Sequence, residues 1–556
     1  MTEERTGRDE SSLDARAVDT LPVGARDRPW LVLSLVPACV AVAVYLASNP
    51  YPAYGAGLYA RIAAEIAANG YVPPATIPGY TAEGVPFAYP PLQFYAFAVL
   101  LDLGADPVAV ARFLPSIAVV AVVVPVYLLG RDIAGSRAGG AAAATLVAVN
   151  PQVLEWHVSA GGVVRAFAFL YALSSVYAGY RAYTTGSRRA LVAGAVLFGL
   201  TALSHPTYAL FVVASYVVLW GTLDRSPAGF LRGLAVGLGG TALASPWVAW
   251  AVATHGPGVF GAAAGTHGGV GGGAALLAGE LSPFTLVPLA AAAYLFARGD
   301  RLLPAWVIVA ELLFKQPRFA YTVGAVALAV VAVDLAGRLP DDALAPATAV
   351  VERLGPSAPT GLDARAVLAA LVLLVATAGG GAALGYEMTL ASDPSTPEFV
   401  DGDDREAMSW IAGETPPDAT FVAVGDAAEW VPALTGRTLL VGPWGVEWRD
   451  AGAYERHLAA FERLSTCHSA ACVESAAGGV GAAPTHVYLP KSQYTVRGES
   501  TVTFGTLNRS FAHADDWMRV YENDGVVVYR RSKESTSGLD PEAVHRSTRA
   551  MAEPRP

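Results

Sequence analysis

The sequence predicts a polytopic α-helical membrane protein with about eleven transmembrane helices and a small extracytoplasmic α/β domain near its C-terminus. Three observations predict it. The 556 residues are 53% hydrophobic and only 15% charged, outside the range of an ordinary soluble protein of this size. Several apolar stretches reach the roughly 18–20 residues that cross a hydrocarbon core. After residue 386 the long apolar runs stop, and short alternating segments take over.

The elements follow in order. Residues 1–27 form a polar, disordered arm carrying Arg5, Arg8, Arg16 and Arg26, which the positive-inside rule assigns to the cytoplasm. The first apolar stretch lacks a small-residue cleavage site and further spans follow it, so it is a span and not a cleaved signal. Later arginine clusters lie at Arg131/Arg137, Arg181/Arg188/Arg189, Arg225/Arg232, Arg298/Arg301 and Arg338/Arg353/Arg365. Keeping all of them inside gives spans near 30–48, 108–130, 138–155, 164–183, 190–205, 206–223, 231–253, 283–297, 302–316, 318–337 and 365–386. In this scheme the membrane domain covers 28–390, with a first external loop at 49–107. Pro90–Leu103 is short for a span and is expected to dip into the membrane or lie along it. Leu58, Ile62 and Ile66, with Tyr59 and Ala63, make an apolar face at helical spacing, as of a helix lying on the membrane. Arg61 and Glu65 are placed to pair on its wet side. Residues 338–364 form a Pro- and Ala-rich cytoplasmic loop.

In the α/β domain, 391–531, helices are expected over Asp404–Ala412 and Ala451–Leu464. Strands are expected over Thr420–Val424, Thr438–Val441, Thr485–Leu489, Met518–Glu522 and Val526–Arg530. Asn523-Asp-Gly525 is a hairpin turn signal. Residues 532–556 read as a disordered tail. Cys39 lies in the first span, while Cys467 and Cys472 are either a disulfide or free thiols. There are three Lys and a net charge of -10. That balance argues against nucleic-acid binding, which needs a basic face, and fits a salt-loving, archaeal source.

Four groups could carry chemistry. Glu83 lies in a Gly/Pro-flanked loop, where functional residues concentrate. Glu155, His157 and Arg165 fall within eleven residues at the edge of the bilayer. They either bind a phosphorylated or hydroxylated ligand or, with Trp156, anchor the interface. His205, in Ser204-His-Pro206, is either a base or donor or a satisfied residue at a helix break. Lys315 and Arg318 put cations on the side where positive charge is uncommon. A lipid headgroup or a pyrophosphate would give a reason, since Arg matches phosphate oxygens in a fork. The Gly-rich segment 256–273 lacks the pattern of a phosphate-binding loop and reads as a mobile external loop.

The order of several short motifs resembles the GT-C superfamily of membrane glycosyltransferases: oligosaccharyltransferase catalytic subunits, protein O-mannosyltransferases and aminoarabinose transferases. The matching pieces are Gly57-Leu-Tyr-Ala-Arg-Ile-Ala-x-Glu-Ile-x-x-x-Gly70, Tyr89-Pro-Pro-Leu92, Ala111-Arg-Phe-Leu-Pro-Ser116, Tyr127-Leu-Leu-Gly-Arg-Asp132, Asn150-Pro151 and Pro317-Arg-Phe319. Trp410-Ile-x-x-x-Thr-Pro-Pro-Asp-Ala419 is similar to the opening of the family's external domain. The resemblance implies transfer of a sugar from a polyprenyl-phosphate carrier to a glycoprotein or glycolipid acceptor outside the cell. It also implies contact with membrane lipid and a phosphate-binding role for Arg318. The family places an acid in the first loop, as base or metal ligand. Here Gly55 and Ala56 stand at that position, so no cofactor is certain: a divalent cation stays open, but its usual ligands are missing. Glu83, in the irregular part of the first loop just before Tyr89-Pro-Pro-Leu92, is the first candidate for a substitute acid, and Glu155, which begins the second loop with His157 and Arg165 close in sequence, is the second. The rival expectations are a pseudoenzyme that keeps the fold and binds lipid or a partner, and a transporter. The latter would draw on intramembrane acids such as Glu280 and Glu311.

Overall fold

The computed structural model describes residues 24, 26–266, 270–271, 283–354, 364–385, 397–491 and 493–532. Eleven helices come first: α1 (Arg28–Ser48), α2 (Gly57–Ala68), α3 (Leu92–Asp102), α4 (Pro107–Ala134), α5 (Arg137–Ala148), α6 (Pro151–Val158), α7 (Gly162–Thr185), α8 (Arg188–Ala202), α9 (Pro206–Leu223), α10 (Pro227–His255) and α11 (Gly258–Thr266). The helices Pro283–Ala297, Leu302–Leu313, Pro317–Ala336, Ala345–Leu354 and Ala364–Gly385 follow. Among the described residues, six are long and apolar enough to cross a membrane unaided: α1, α4, α7, α9, α10 and Pro317–Ala336.

Local chemistry sets the boundaries. The side chains of Asp106, Ser136, Asn150, Ser187 and Ser226 accept from backbone N–H groups in the first turns of α4, α5, α6, α8 and α10. Gly135 and Gly186 close α4 and α7 in the left-handed conformation. The span expected over 138–155 is instead two helices. Asn150 is extended and caps α6, and Pro151 opens that helix, where its missing N–H costs nothing. Glu155 and His157 therefore sit on a separate short helix.

The charged clusters gather at one end of the bundle. Asp27 is buried there and pairs with Arg131 at 3.1 Å and Arg137 at 3.3 Å. Asp132 pairs with Arg131 and with Arg181 at 3.3 Å. Asp334 pairs with Arg298 and Arg338.

The opposite end carries the first loop and the α/β domain. The domain's sheet has strands β3 (Thr420–Ala423), β4 (Thr438–Leu439), β5 (His486–Pro490), β8 (Trp517–Glu522) and β9 (Val526–Arg531), in the order β4-β3-β5-β9-β8. β4, β3 and β5 are parallel, while β9 and β8 close the sheet as an antiparallel hairpin. Asn523 makes that turn, its Oδ1 accepting from Gly525 and Val526 at 3.1 and 2.7 Å. A second hairpin, β6 (Gln493–Val496) with β7 (Ser500–Thr503), and the helices Ala470–Gly478 and Gly505–Ala512 have no counterpart in the sequence reading. Cys467 and Cys472 are disulfide-bonded.

The apolar face of the first-loop helix α2 is covered by protein. Leu58, Ile62 and Ile66 of α2 share one hydrophobic core with Met408, Trp430, Val431 and Leu439 of the α/β domain. The apolar spacing made a helix as expected; its partner is the α/β domain. Arg61 and Glu65 pair at 3.2 Å on the outer side. The loop's only strands, β1 (Thr76–Ile77) and β2 (Val85–Pro86), form a small hairpin. Beyond it Tyr80 lies alongside Leu439, extending the sheet past β4 with hydrogen bonds of 2.8 Å from Thr81 N and Leu439 N. Asp106 receives a fork of hydrogen bonds from Arg405, at 3.0 and 2.8 Å. The Gly-rich segment is helical over α11, where Val259 packs on Trp448. Most of its remainder, and Glu280, lie outside the described residues.

Candidate active site

The loop after β3 leaves the carboxyl end of a parallel strand, the place where open α/β sheets build sites. It reads Gly425-Asp-Ala-Ala-Glu-Trp430, and a 3-10 turn buries Asp426 and Glu429 completely or nearly so. Glu429 enters the first loop. Its Oε1 accepts from Leu58 N at 3.3 Å, at the start of α2. Its backbone carbonyl accepts from the Tyr80 hydroxyl at 2.6 Å. A Cβ added to Gly55 would lie 2.5 Å from Glu429 Cδ and 3.1 Å from Oε1, and would overlap Oε2 outright. A Cβ on Gly57 would overlap the Glu429 carbonyl and approach Trp430 Cα at 2.8 Å. The two glycines thus make room for a carboxyl group delivered from the α/β domain.

Other groups converge on the same space. Glu447 is buried, with Oε2 lacking a hydrogen-bond partner. Burial pushes the Glu429 carboxyl up to about 8 and the Glu447 carboxyl up to about 7. Tyr59 and Tyr89 lie with ring centroids 5.8 Å apart, and the field of Glu447 reaches both hydroxyls. Tyr59, Tyr89 and Arg165 are each partly exposed although set deep in the protein, which marks the space between them as the candidate cavity.

Asp426 lies in the same turn, three residues before Glu429. It accepts from the backbone N–H groups of Arg497 at 2.6 Å and Gly498 at 3.1 Å. Burial, its largest influence, still holds its carboxyl up at about 7. Gly498 has φ +69 and faces Tyr54, whose Cε1 would lie 2.7 Å from an added Cβ. Tyr54 has φ +59, a strained conformation for a residue with a side chain, immediately before Gly55.

The residues singled out in the sequence fall in three places. Arg165, Arg318, His157 and His205 lie on the membrane-domain side of the cavity. The Arg165 guanidinium sits over the Trp156 ring at 5.4 Å. Arg318 is 5% exposed, opens the helix Pro317–Ala336 and lies 5.7 Å from the Tyr208 ring. His157 Nε2 meets the Tyr208 hydroxyl at 2.7 Å, and His157 Nδ1 meets the Val153 carbonyl. His205 precedes α9, its ring 5.2 Å from Tyr208 and 6.4 Å from Tyr89. Glu155 stands at the rim, accepting from the Tyr54 hydroxyl at 2.8 Å. Glu83 and Lys315 lie apart: Glu83 is largely exposed and pairs with Arg449 at 3.2 Å, and Lys315 is exposed.

Among the described residues neither Arg165 nor Arg318 forms an ion pair, and Arg318 Nε is buried without a hydrogen-bond partner. Also among the described residues, no three His, Cys, Asp or Glu side chains group to hold a metal ion. The sequence reading missed Glu429, Glu447, Tyr59 and Tyr89. One signal was available: two carboxylates in a short apolar run directly after a strand.

The comparisons with known proteins agree with this architecture. Residues 88–250 match the family described as dolichyl-phosphate-mannose-protein mannosyltransferase. ArnT from Cupriavidus metallidurans, solved bound to undecaprenyl phosphate, is similar at TM-score 0.53 and 14% identity, covering 91% of this chain and 98% of that one. The arabinofuranosyltransferase AftD from mycobacteria is similar at TM-score 0.54 and 15% identity, covering 91% of this chain but 40% of that one. No curated protein matches the sequence. The fold is that of the GT-C membrane glycosyltransferases.

Proposed function

We propose that this protein is a membrane glycosyltransferase that moves a sugar from a polyprenyl-phosphate carrier to an acceptor hydroxyl. One observation carries the reading: two guanidinium groups, Arg165 and Arg318, lie on the membrane-domain side of the site with no carboxylate at ion-pair distance among the described residues, and only Glu429 and Glu155 act on them from farther off. A buried cation without a counter-charge is costly. A phosphate supplies that counter-charge, and Arg presents its N–H groups in the matching fork. The phosphate would enter from the membrane domain while an acceptor approaches under the α/β domain. The match to mannosyltransferases and the undecaprenyl phosphate bound by ArnT support the same donor chemistry. The end bearing Asp27 and the arginine clusters is assigned to the cytoplasm, which puts the α/β domain outside, over a glycoprotein or glycolipid acceptor.

The test is transfer of a labelled sugar by purified protein from polyprenyl-phosphate donors to cell-surface glycoproteins and glycolipids. Transfer supports the reading. Binding of polyprenyl phosphate without transfer to any acceptor replaces it with the pseudoenzyme, and absence of both removes it.

A further inference from the structure

We infer that Glu429, reaching into the first loop from the α/β domain, is the general base of the transfer reaction, and that Gly55 is a glycine to admit it. This rests on the transferase reading above.

The argument is spatial. The Glu429 carboxyl group occupies the volume that a side chain at position 55 would fill, since the three atoms nearest a Cβ there are Glu429 Oε2, Cδ and Oε1. Position 55 has no left-handed backbone that would itself require glycine. The requirement comes from the intruding carboxyl. Among the described residues Glu429 has no cationic partner within ion-pair distance, although its field reaches Arg165 and Tyr59 in the cavity. Its carboxyl accepts from Leu58 N and its backbone carbonyl from the Tyr80 hydroxyl, which together fix its position, and a base must be held in place before the acceptor arrives. A group held near 8 is also well matched to accepting a proton at neutral to mildly alkaline pH.

The step balances. The acceptor O–H gives its proton to the Glu429 carboxylate, and the oxygen's electron pair forms the bond to the anomeric carbon. The bond from that carbon to the phosphate oxygen breaks, and its electron pair leaves with the polyprenyl phosphate. Arg165 and Arg318 hold the charge of the leaving group. The proton then passes from Glu429 to solvent.

The test uses the full-length protein with a polyprenyl-phosphate donor. Glu429→Gln keeps the shape of the side chain and should lower transfer about 10²–10⁴-fold with polyprenyl-phosphate binding unchanged. Its residual activity should lose the rise with pH that wild type shows up to about 8. The sharper test is relocation. Glu429→Ala should be inactive, and adding Gly55→Asp should restore part of the lost rate by growing a carboxylate from the loop into the vacated space. Transfer by Glu429→Gln within a few-fold of wild type overturns the inference and leaves the transferase reading standing. Equal loss of transfer and of lipid binding assigns Glu429 a structural role and overturns it as well. Absence of transfer by wild type overturns the transferase reading and the inference together.

Discussion

Arg318 shows how one residue can be legible in sequence and still be explained only by its surroundings. A cation at the start of an apolar helix stood out because it broke the charge pattern. The structure adds that it is 5% exposed, with Tyr208 and Phe319 rings 5.7 and 5.8 Å away. Lys315, three residues earlier, is exposed, so the two cations do not act as a pair. Arg318→Ala should therefore weaken binding of polyprenyl phosphate by about 1.5–3 kcal/mol, the range for a charge-assisted hydrogen bond. Lys315→Ala should change it by less than about 0.5 kcal/mol. Titration of fluorescent polyprenyl phosphate in lipid nanodiscs measures both, and equal effects would remove the distinction. Glu83 teaches the opposite lesson. Loop position drew attention to it, but it is a surface partner of Arg449, and loop residues of that kind are common.

At the scale of elements, the sequence specified what each segment becomes better than what it packs against. Apolar spacing revealed α2, caps and prolines marked the ends of the long helices, and Asn523-Asp-Gly525 marked the final hairpin. These signals are local, because propensity, capping and turn chemistry act over a few residues. The docking of α2 onto the α/β domain is not local: Leu58 and Glu429 are 371 residues apart. A buried face on an amphipathic helix says only that something apolar covers it, and a membrane satisfies that as well as a domain does. The break at Asn150-Pro151 was visible as letters, yet the apolar run across it read as continuous. Gly57 gives a test of the docking itself. Its Cβ would strike the backbone of Glu429 and Trp430, whereas a Cβ on Gly55 would strike a side chain. Side chains can rotate and backbones must shift. Gly57→Ala should thus loosen the loop–domain contact by about 1–3 kcal/mol, and more than Gly55→Ala does. Limited proteolysis of the α/β domain in the intact protein would register the difference; equal protection of both variants would mean that the interface yields at no cost.

At the scale of the whole molecule, the membrane bundle and the α/β domain meet along a seam that buries acids from one side and cations from the other. The acids give the domain a particular response to pH. Burial raises Asp404, Asp426 and Glu447 to about 7 and Glu429 to about 8. In the unfolded chain such groups titrate near 4. Between those limits the folded state holds protons that the unfolded state has released, so stability falls as pH rises. The contribution is complete below about pH 4 and is lost progressively by about pH 8. The α/β domain of the full-length protein should unfold at a lower temperature at pH 8 than at pH 5.5, in fixed salt and without donor. Replacing Glu429 with Gln should flatten the trend, because the amide does not titrate. Under the proposed function, polyprenyl phosphate at Arg165 and Arg318 would add an anion near the same carboxyl groups, which should move the Glu429 titration further upward and lengthen the decline. A midpoint that rises from pH 5.5 to pH 8 would mean that these acids are ionised in the folded protein. Glu429 would then be charged and paired, and the reason for holding it bare beside the cavity would be gone.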